Sequence, residues 1–268
     1  MLLVLMILVF LSVALFWIWY FYRKDKGEKE PKKLIFFAFL ASIGAVLAGS
    51  ELIGFSDFIF ENLIGTSVSQ YIPSSGIGLT ETPKSFSIIL LFGLQLLIDA
   101  GIEEIVKFLA LFLFLRDSRF FNEVTDGIFY GIVIGLGFAF IEDLSYLFMG
   151  GLGAGVRVMD ILFHPATIGF VGYFWAKNKI LGASFKPVIF ALLGMTFLHA
   201  LRNWLNFWPE AEWAGVLVFG ITAFLYGELF ILYSQAQKVS ANIFCTKCGF
   251  KNRASNIFCT HCGNRLSK

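Results

Sequence analysis

The sequence predicts an all-α polytopic membrane protein of about seven transmembrane helices, followed by a small cysteine-bearing module. Three observations carry that expectation. Hydrophobic residues make up 57 % of the 268, charged residues only 15 %, and the mean hydropathy is +0.77. The apolar residues run in stretches of roughly 20, enough to cross the hydrocarbon core of a bilayer as a helix. Lysines and arginines cluster on alternate links between those stretches. Lipid offers no partner to an open backbone, so such stretches span as helices. A net charge of +2 gives no reason to expect a nucleic-acid partner.

Residues 1–22 are apolar throughout, with no basic leader and no small-residue cleavage site, and read as an uncleaved first span. From Arg23 to Lys33 there are six basic residues against three acidic ones, which places this link in the cytoplasm and the N-terminus outside. The second span, 34–53, returns outward. Residues 54–85, with Gly, Ser, Pro and Thr clusters, read as an outer loop containing a short interfacial helix. The third span, 86–115, is longer than a bilayer needs and must tilt, or bend near Gly101.

The fourth span, 124–149, leads to Gly150, Gly151, Gly153 and Gly155. No strand precedes these glycines and no Gly-Lys-Ser/Thr follows, so they form a flexible turn and not a phosphate cradle. Spans 158–175, 187–208 and 213–234 complete the set, with Lys177 and Lys179 after the fifth and acidic Glu210 and Glu212 after the sixth. Residues 1–235 thus form one multi-pass domain of the cell membrane whose C-terminal end is cytoplasmic.

Residues 242–268 are different in kind. Asn242-Ile-Phe-Cys-Thr-Lys-Cys-Gly249 recurs as Asn256-Ile-Phe-Cys-Thr-His-Cys-Gly263. Cys245, Cys248, Cys259 and Cys262 therefore form two Cys-x-x-Cys knuckles, the spacing of a structural zinc ribbon. Cytoplasmic placement argues against disulfides. A module this small cannot bury a core without its metal, so it is expected to have a structural role or to dock a protein partner.

The helices also carry charges where lipid tolerates few. A charge at mid-bilayer costs at least about 2.5–3.5 kcal/mol, so a cluster needs partners, a cavity or a chemical purpose. Gln95, Asp99, Glu103 and Lys107 lie four apart on one face of the third span, and Glu104 points about 100° aside. The fourth span adds Asp126, Tyr130, Glu142, Asp143 and Tyr146; the fifth, Arg157, Asp160 and His164; the sixth, His199, Arg202, Asn203 and Asn206. At about 1.5 Å per residue, Glu103, His164 and His199 each come about 18 Å from the cytoplasmic end of their span, and Glu142 some 9 Å farther out.

Two chemistries fit these groups. In one, His164, His199 and a carboxylate from Glu103, Glu104 or Glu142 bind a second zinc, whose water attacks a carbonyl with another glutamate as base. In the other, a buried glutamate activates water without metal, one histidine orients it, and His199 with Asn203 stabilises the oxyanion. Asp160, one turn before His164, is placed to orient its ring. Taken singly, any of these residues also fits a structural role in buried ion pairs.

Glu103-Glu104-Ile-Val-Lys107, Asp126-Gly-Ile-Phe-Tyr130-Gly131 with Gly135 through Glu142, His164, and His199-Ala-Leu-Arg-Asn203 together resemble the signature segments of the PrsW family of intramembrane proteases, itself distantly similar to CAAX-type prenyl proteases. The resemblance spans about residues 90–205. It implies a membrane-embedded endopeptidase, of metallo or glutamate type, acting on single-span membrane proteins such as anti-sigma factors. Glu103, Glu104, Glu142, His164, His199 and Asn203 match the family's motif positions, with Lys107, Asp126, Tyr130, Asp160 and Arg202 in support. Where the family usually has Glu-Asn, this chain has Glu142-Asp143. The alternative is a non-catalytic scaffold that binds membrane helices and shares the fold. Transport along the Gln95–Lys107 stripe is a weaker reading, because the sequence lacks repeated halves with interrupted helices.

Overall fold

The computed structural model describes residues 2–65, 86–148, 154–206, 212–240, 242–253 and 256–266. Seven long helices account for most of them: α1 (Leu2–Lys24), α2 (Lys32–Ile59), α3 (Phe86–Leu115), α4 (Val124–Phe148), α5 (Ala154–Leu181), α6 (Lys186–Asn206) and α7 (Glu212–Ser240). Five of them, α1, α2, α4, α6 and α7, are long and apolar enough to cross a membrane by length and composition. The other two, α3 and α5, carry polar residues that the bundle encloses. Large apolar side chains such as Phe36, Phe55, Phe190, Val216 and Phe224 point outward, as lipid-facing residues do.

At the centre of the bundle is α4, buried without interruption from Val124 to Ala139. Glycine at every fourth position makes this possible, because Gly127, Gly131 and Gly135 share one face and let the backbone of α5 approach directly. A Cβ on Gly131 would come within 2.7 Å of the Ile168 carbonyl oxygen, and Cβ atoms on Gly127 and Gly135 would run into Gly172 and Pro165. Gly127→Val should therefore cost about 1–3 kcal/mol or more through forced backbone separation. Its melting temperature in detergent, compared with that of Gly194→Val, measures this; Gly194 sits on α6 with open space around its Cβ position.

An aromatic cluster joins α1 to α7. Trp17 packs on Tyr226 at 4.9 Å between ring centroids, Phe21 stacks on Phe230 at 5.8 Å, and Tyr233 Oη donates to the Phe21 carbonyl at 3.3 Å. Between α1 and α2 the chain is tied back to α4. Tyr130 Oη donates to Glu30 Oε2 at 2.5 Å, while Asp126 Oδ2 accepts the backbone N–H groups of Asn122 (2.8 Å) and Glu123 (2.6 Å) and so caps α4. Burial is the main cause that raises the Glu30 carboxyl to about 7, against which the Tyr130 hydrogen bond pulls down. A carboxyl raised on folding lends stability that is full below its unfolded value and is lost as pH climbs through about 7. Glu30→Gln, which keeps the acceptor, should thus raise the melting temperature by a few degrees at pH 8 and change it little at pH 5. Thermal unfolding at the two pH values checks the sign.

Several element ends differ from the sequence expectation. The predicted outer loop from residue 54 is instead helix through Ile59, followed by a π-helical turn, Phe60–Ile64, that ends at Gly65 with φ +80°. This extension of α2 lies against α3, where Gln95 Nε2 donates to Asp57 Oδ1. The predicted turn at the glycine run loses Gly155, which lies within α5; Gly150, Gly151 and Gly153 lie outside the described residues. At its other end α5 outlasts the predicted 175 by continuing to Leu181, where Gly182 takes up φ +67°. On that extension, Lys179 Nζ reaches the Leu115 carbonyl at 3.2 Å and also that of Arg116, covering the open end of α3.

After α7, two short strands, β1 (Asn242–Phe244) and β2 (Lys251–Arg253), pair antiparallel. Gly249 and Gly263 adopt φ +70° and +68° directly after each knuckle, which only glycine does without strain. The four cysteines are free thiols, with Cys245 Sγ 3.7 Å from Cys262 Sγ and Cys248 Sγ 3.6 Å from Cys259 Sγ. Four thiolates around a tetrahedral zinc sit about 3.8 Å apart, so the sulfurs are positioned to hold such an ion.

Candidate active site

Helices α3, α4, α5 and α6 converge on one polar cluster. Its deepest member is Glu104, fully buried, although the sequence stripe ran through Glu103. One oxygen of Glu104, Oε1, accepts from Lys107 Nζ at 2.7 Å, His199 Nδ1 at 2.9 Å and Thr167 Oγ1 at 3.2 Å. A residue 100° off the stripe is the one that faces α5 and α6, which is why it takes the organising place. Lys107 is also fully buried; its ammonium lies 2.9 Å from His164 Nδ1 and 5.1 Å from the centre of the Phe138 ring.

The two histidines present opposite edges. His199 gives its Nδ1 proton to Glu104, so its Nε2 keeps a lone pair, directed at Glu103 Oε2, 3.7 Å away. His164 receives Lys107 at Nδ1, so its Nε2 carries the proton and meets Glu142 Oε2 at 3.1 Å. These tautomers follow from the hydrogen-bond network. The two rings stand edge to face, 5.1 Å between centroids. One donor atom each from Glu103, His164 and His199 lie within 4.8 Å of one another, a group able to hold a metal ion.

Glu142, which helix counting put about 9 Å farther out unless tilt or a shifted boundary absorbed the gap, does join the cluster. The glycine seam presses Pro165 onto Gly135, and α5 runs on past residue 175, so the end from which depth was counted is not its true end. Pro165 also leaves the Ile161 carbonyl without its helical partner, which loosens α5 beside His164.

A cavity of about 290 Å³ opens beside the cluster, between the C-terminal halves of α2 and α4. Glu103 and Glu142 line it, with Gly49, Ser50 and Gly54 of α2 opposite and Asp57 and Tyr146 also on its wall.

Not every expected residue joins the cluster. Asp126 and Tyr130 form the separate pair with Glu30 near the start of α4, so their support is to that helix and not to the histidines. Arg202 is buried, its guanidinium 4.9 Å from the centre of the Phe163 ring, which in turn packs 5.2 Å from the His199 ring. Asn203 is half-buried, and no hydrogen bond joins it to the cluster among the described residues. Asp160 and Arg157 lie on the part of α5 whose side chains fall outside the described residues. Thr167, Phe138 and Phe163 were not anticipated. Thr167 had a signal, standing three residues after His164 and thus on its face.

Fold and site together define a multi-pass helical membrane protein with a buried glutamate–histidine centre opening on a cavity within the bundle. A model of the family described as PrsW family intramembrane metalloprotease matches residues 30–230, and the chain belongs to that family of intramembrane proteases. Protease PrsW of Bacillus subtilis (strain 168) is 28 % identical over 202 residues, covering 70 % of this chain and 80 % of the relative. Protease PrsW of Geobacillus kaustophilus (strain HTA426) is 26 % identical over 189 residues, 69 % of this chain and 72 % of that protein. Protease PrsW of Clostridioides difficile (strain 630) reaches 31 % over 126 residues, 44 % and 52 %. No solved structure matches. Membership favours the protease over the non-catalytic scaffold, and its substrates are membrane proteins within the bilayer.

Proposed function

We propose that the chain hydrolyses a peptide bond of a single-span membrane protein admitted to the cavity between α2 and α4, with Glu103 as the base. The observation that carries this is the division of labour between adjacent glutamates. Glu104 is committed to three donors, whereas Glu103 faces the cavity and the free edge of His199. In this reading Glu103 takes a proton from water, the hydroxide so formed attacks the scissile carbonyl, and the protonated Glu103 then gives that proton to the leaving amine as the C–N bond breaks. The His164 Nε2–H, held toward the cavity side by Lys107, is the donor nearest to a developing oxyanion. In this reading the oxyanion donor is His164, whose Nε2–H meets the cavity-lining Glu142, and not His199, whose Nδ1 proton is held by the fully buried Glu104.

Glu103, His164 and His199 are the residues that would hold a catalytic zinc. Two imidazoles and a carboxylate are a donor set of metallohydrolases, and Glu104 orients His199 as outer carboxylates orient metal-bound imidazoles. When bound, the ion supplies a Lewis acid and lowers the pKa of water. The metal-free glutamate mechanism is favoured by one contact, that of Lys107 with His164 Nδ1, since an ammonium there leaves no lone pair on Nε2.

Metal content separates the two. With all four cysteines replaced by alanine to remove the ribbon's zinc, the metallo reading expects about one metal ion per chain by elemental mass spectrometry, lost in His199→Ala. An active, metal-free chain would assign the glutamate mechanism. The N-terminus is taken to lie outside and the ribbon in the cytoplasm, as the basic link at Arg23–Lys33 supports.

A further inference from the structure

The C-terminal module repeats more than its cysteines. Phe258 and Arg265 face each other in an isolated antiparallel bridge, and at the same offset in the first knuckle Phe244 pairs with Lys251 in the β1–β2 ladder. Directly opposed residues share a face of the ladder. Both Phe258 (58 % exposed) and Arg265 stand in the open, as do Ile257, Lys247 and Phe250, which stacks on His261 at 5.0 Å. Three large apolar side chains, Phe250, Ile257 and Phe258, thus lie exposed on this small module beside its basic residues.

Charge narrows the partner. From residue 241 to the end the chain carries Lys247, Lys251, Arg253, Arg265 and Lys268 and not one acidic residue. Even counting a four-thiolate zinc centre as two negative charges, the module remains basic.

Position narrows it further. Ala241 alone separates the end of α7 from β1. The apolar part of α7 closes at Tyr233, and the polar turns from Ser234 to Ser240 add about 10 Å at 1.5 Å per residue, close to the depth of a headgroup layer. The module therefore begins where lipid phosphates are.

We propose that the module docks on the headgroup surface of the membrane that holds the helices, with its lysines and arginines on anionic lipid phosphates and Phe250, Ile257 and Phe258 in the interface. Aromatic rings and basic side chains together are what that boundary accommodates. The proposal is independent of the catalytic reading and of which leaflet the module faces.

The test uses the full chain in nanodiscs of phosphatidylcholine, alone or with about a third phosphatidylglycerol. A photoreactive p-benzoylphenylalanine replaces Phe258 or, separately, Phe250, and lipid adducts are counted by mass spectrometry. Both positions are exposed; replacing Phe250 alters its stacking on His261, and the Phe258 replacement is the control for that change. The proposal expects about fivefold or more adduct with the anionic lipid, lost at about 1 M salt, which shortens the screening length to roughly 3 Å. Lys247→Gln with Arg265→Gln should remove most of that about fivefold gain and bring the yield toward that of phosphatidylcholine. Equal yields in the two membranes would overturn it, leaving mere proximity. Loss of lipid adducts on adding polyuridylate or a polyglutamate peptide would overturn it in favour of a nucleic-acid or acidic-protein partner.

Discussion

Glu103→Gln is expected to lower proteolysis by roughly 10²–10⁴-fold while leaving the protein folded, the range removed with a general base. The substitution keeps the shape of a side chain that lines the cavity and sits 3.7 Å from His199 Nε2 without being held as Glu104 is. Its Oε2 accepts no hydrogen bond among the described residues, whereas Glu104 Oε1 accepts three. Cleavage of a co-expressed single-span reporter, read against the melting temperature of the purified variant, measures both halves. Full activity in a folded Glu103→Gln protein would remove Glu103 from the chemistry.

The second large effect falls one residue away and has the opposite character. Glu104→Gln leaves the Lys107 ammonium buried without its countercharge, and Lys107→Met leaves the carboxylate with only His199 and Thr167. Removing one partner of a fully buried pair costs about 3–5 kcal/mol, because the remaining charge is stranded out of water. Both variants should therefore unfold at markedly lower temperature. The double variant Glu104→Gln with Lys107→Met should recover much of the loss, since the stranded charge is gone. Thermal unfolding in detergent gives all three values, and a double variant no more stable than either single one would contradict the ion-pair account.

The contrast between neighbouring glutamates shows where sequence reasoning reached and where it stopped. Helical counting brought Glu103, His164 and His199 to one depth, and the three do meet, although α5 continues beyond the end from which His164 was counted. Counting could not tell which glutamate faces inward. The stripe of four-residue steps favoured Glu103, but α5 and α6 approach α3 on the flank that carries Glu104.

Glu142 counted about 9 Å farther out, a gap that tilt or a shifted helix boundary could absorb, and the boundary of α5 is shifted: Lys177 and Lys179 lie within the helix instead of beyond it. Asp126 and Tyr130 belonged to a motif segment and were drawn into the site by that association. The partner they have, Glu30, is a single carboxylate in a charged link that no periodicity marks. The glycines of α4 were visible at four-residue spacing, yet their use as the contact seam with α5 needed the facing backbone. The cysteine module was the most legible part, since two knuckles that differ only at Lys247 and His261 admit few other arrangements, and the four sulfurs do cluster.

The central claim is that this chain cuts membrane proteins with Glu103 at the reacting bond. The most direct measurement compares new protein N-termini in host membranes expressing the wild type or Glu103→Gln at matched levels. The account predicts fresh termini in or beside transmembrane segments with the wild type alone. The same set of termini with both proteins, or none with either at full abundance and fold, would contradict it.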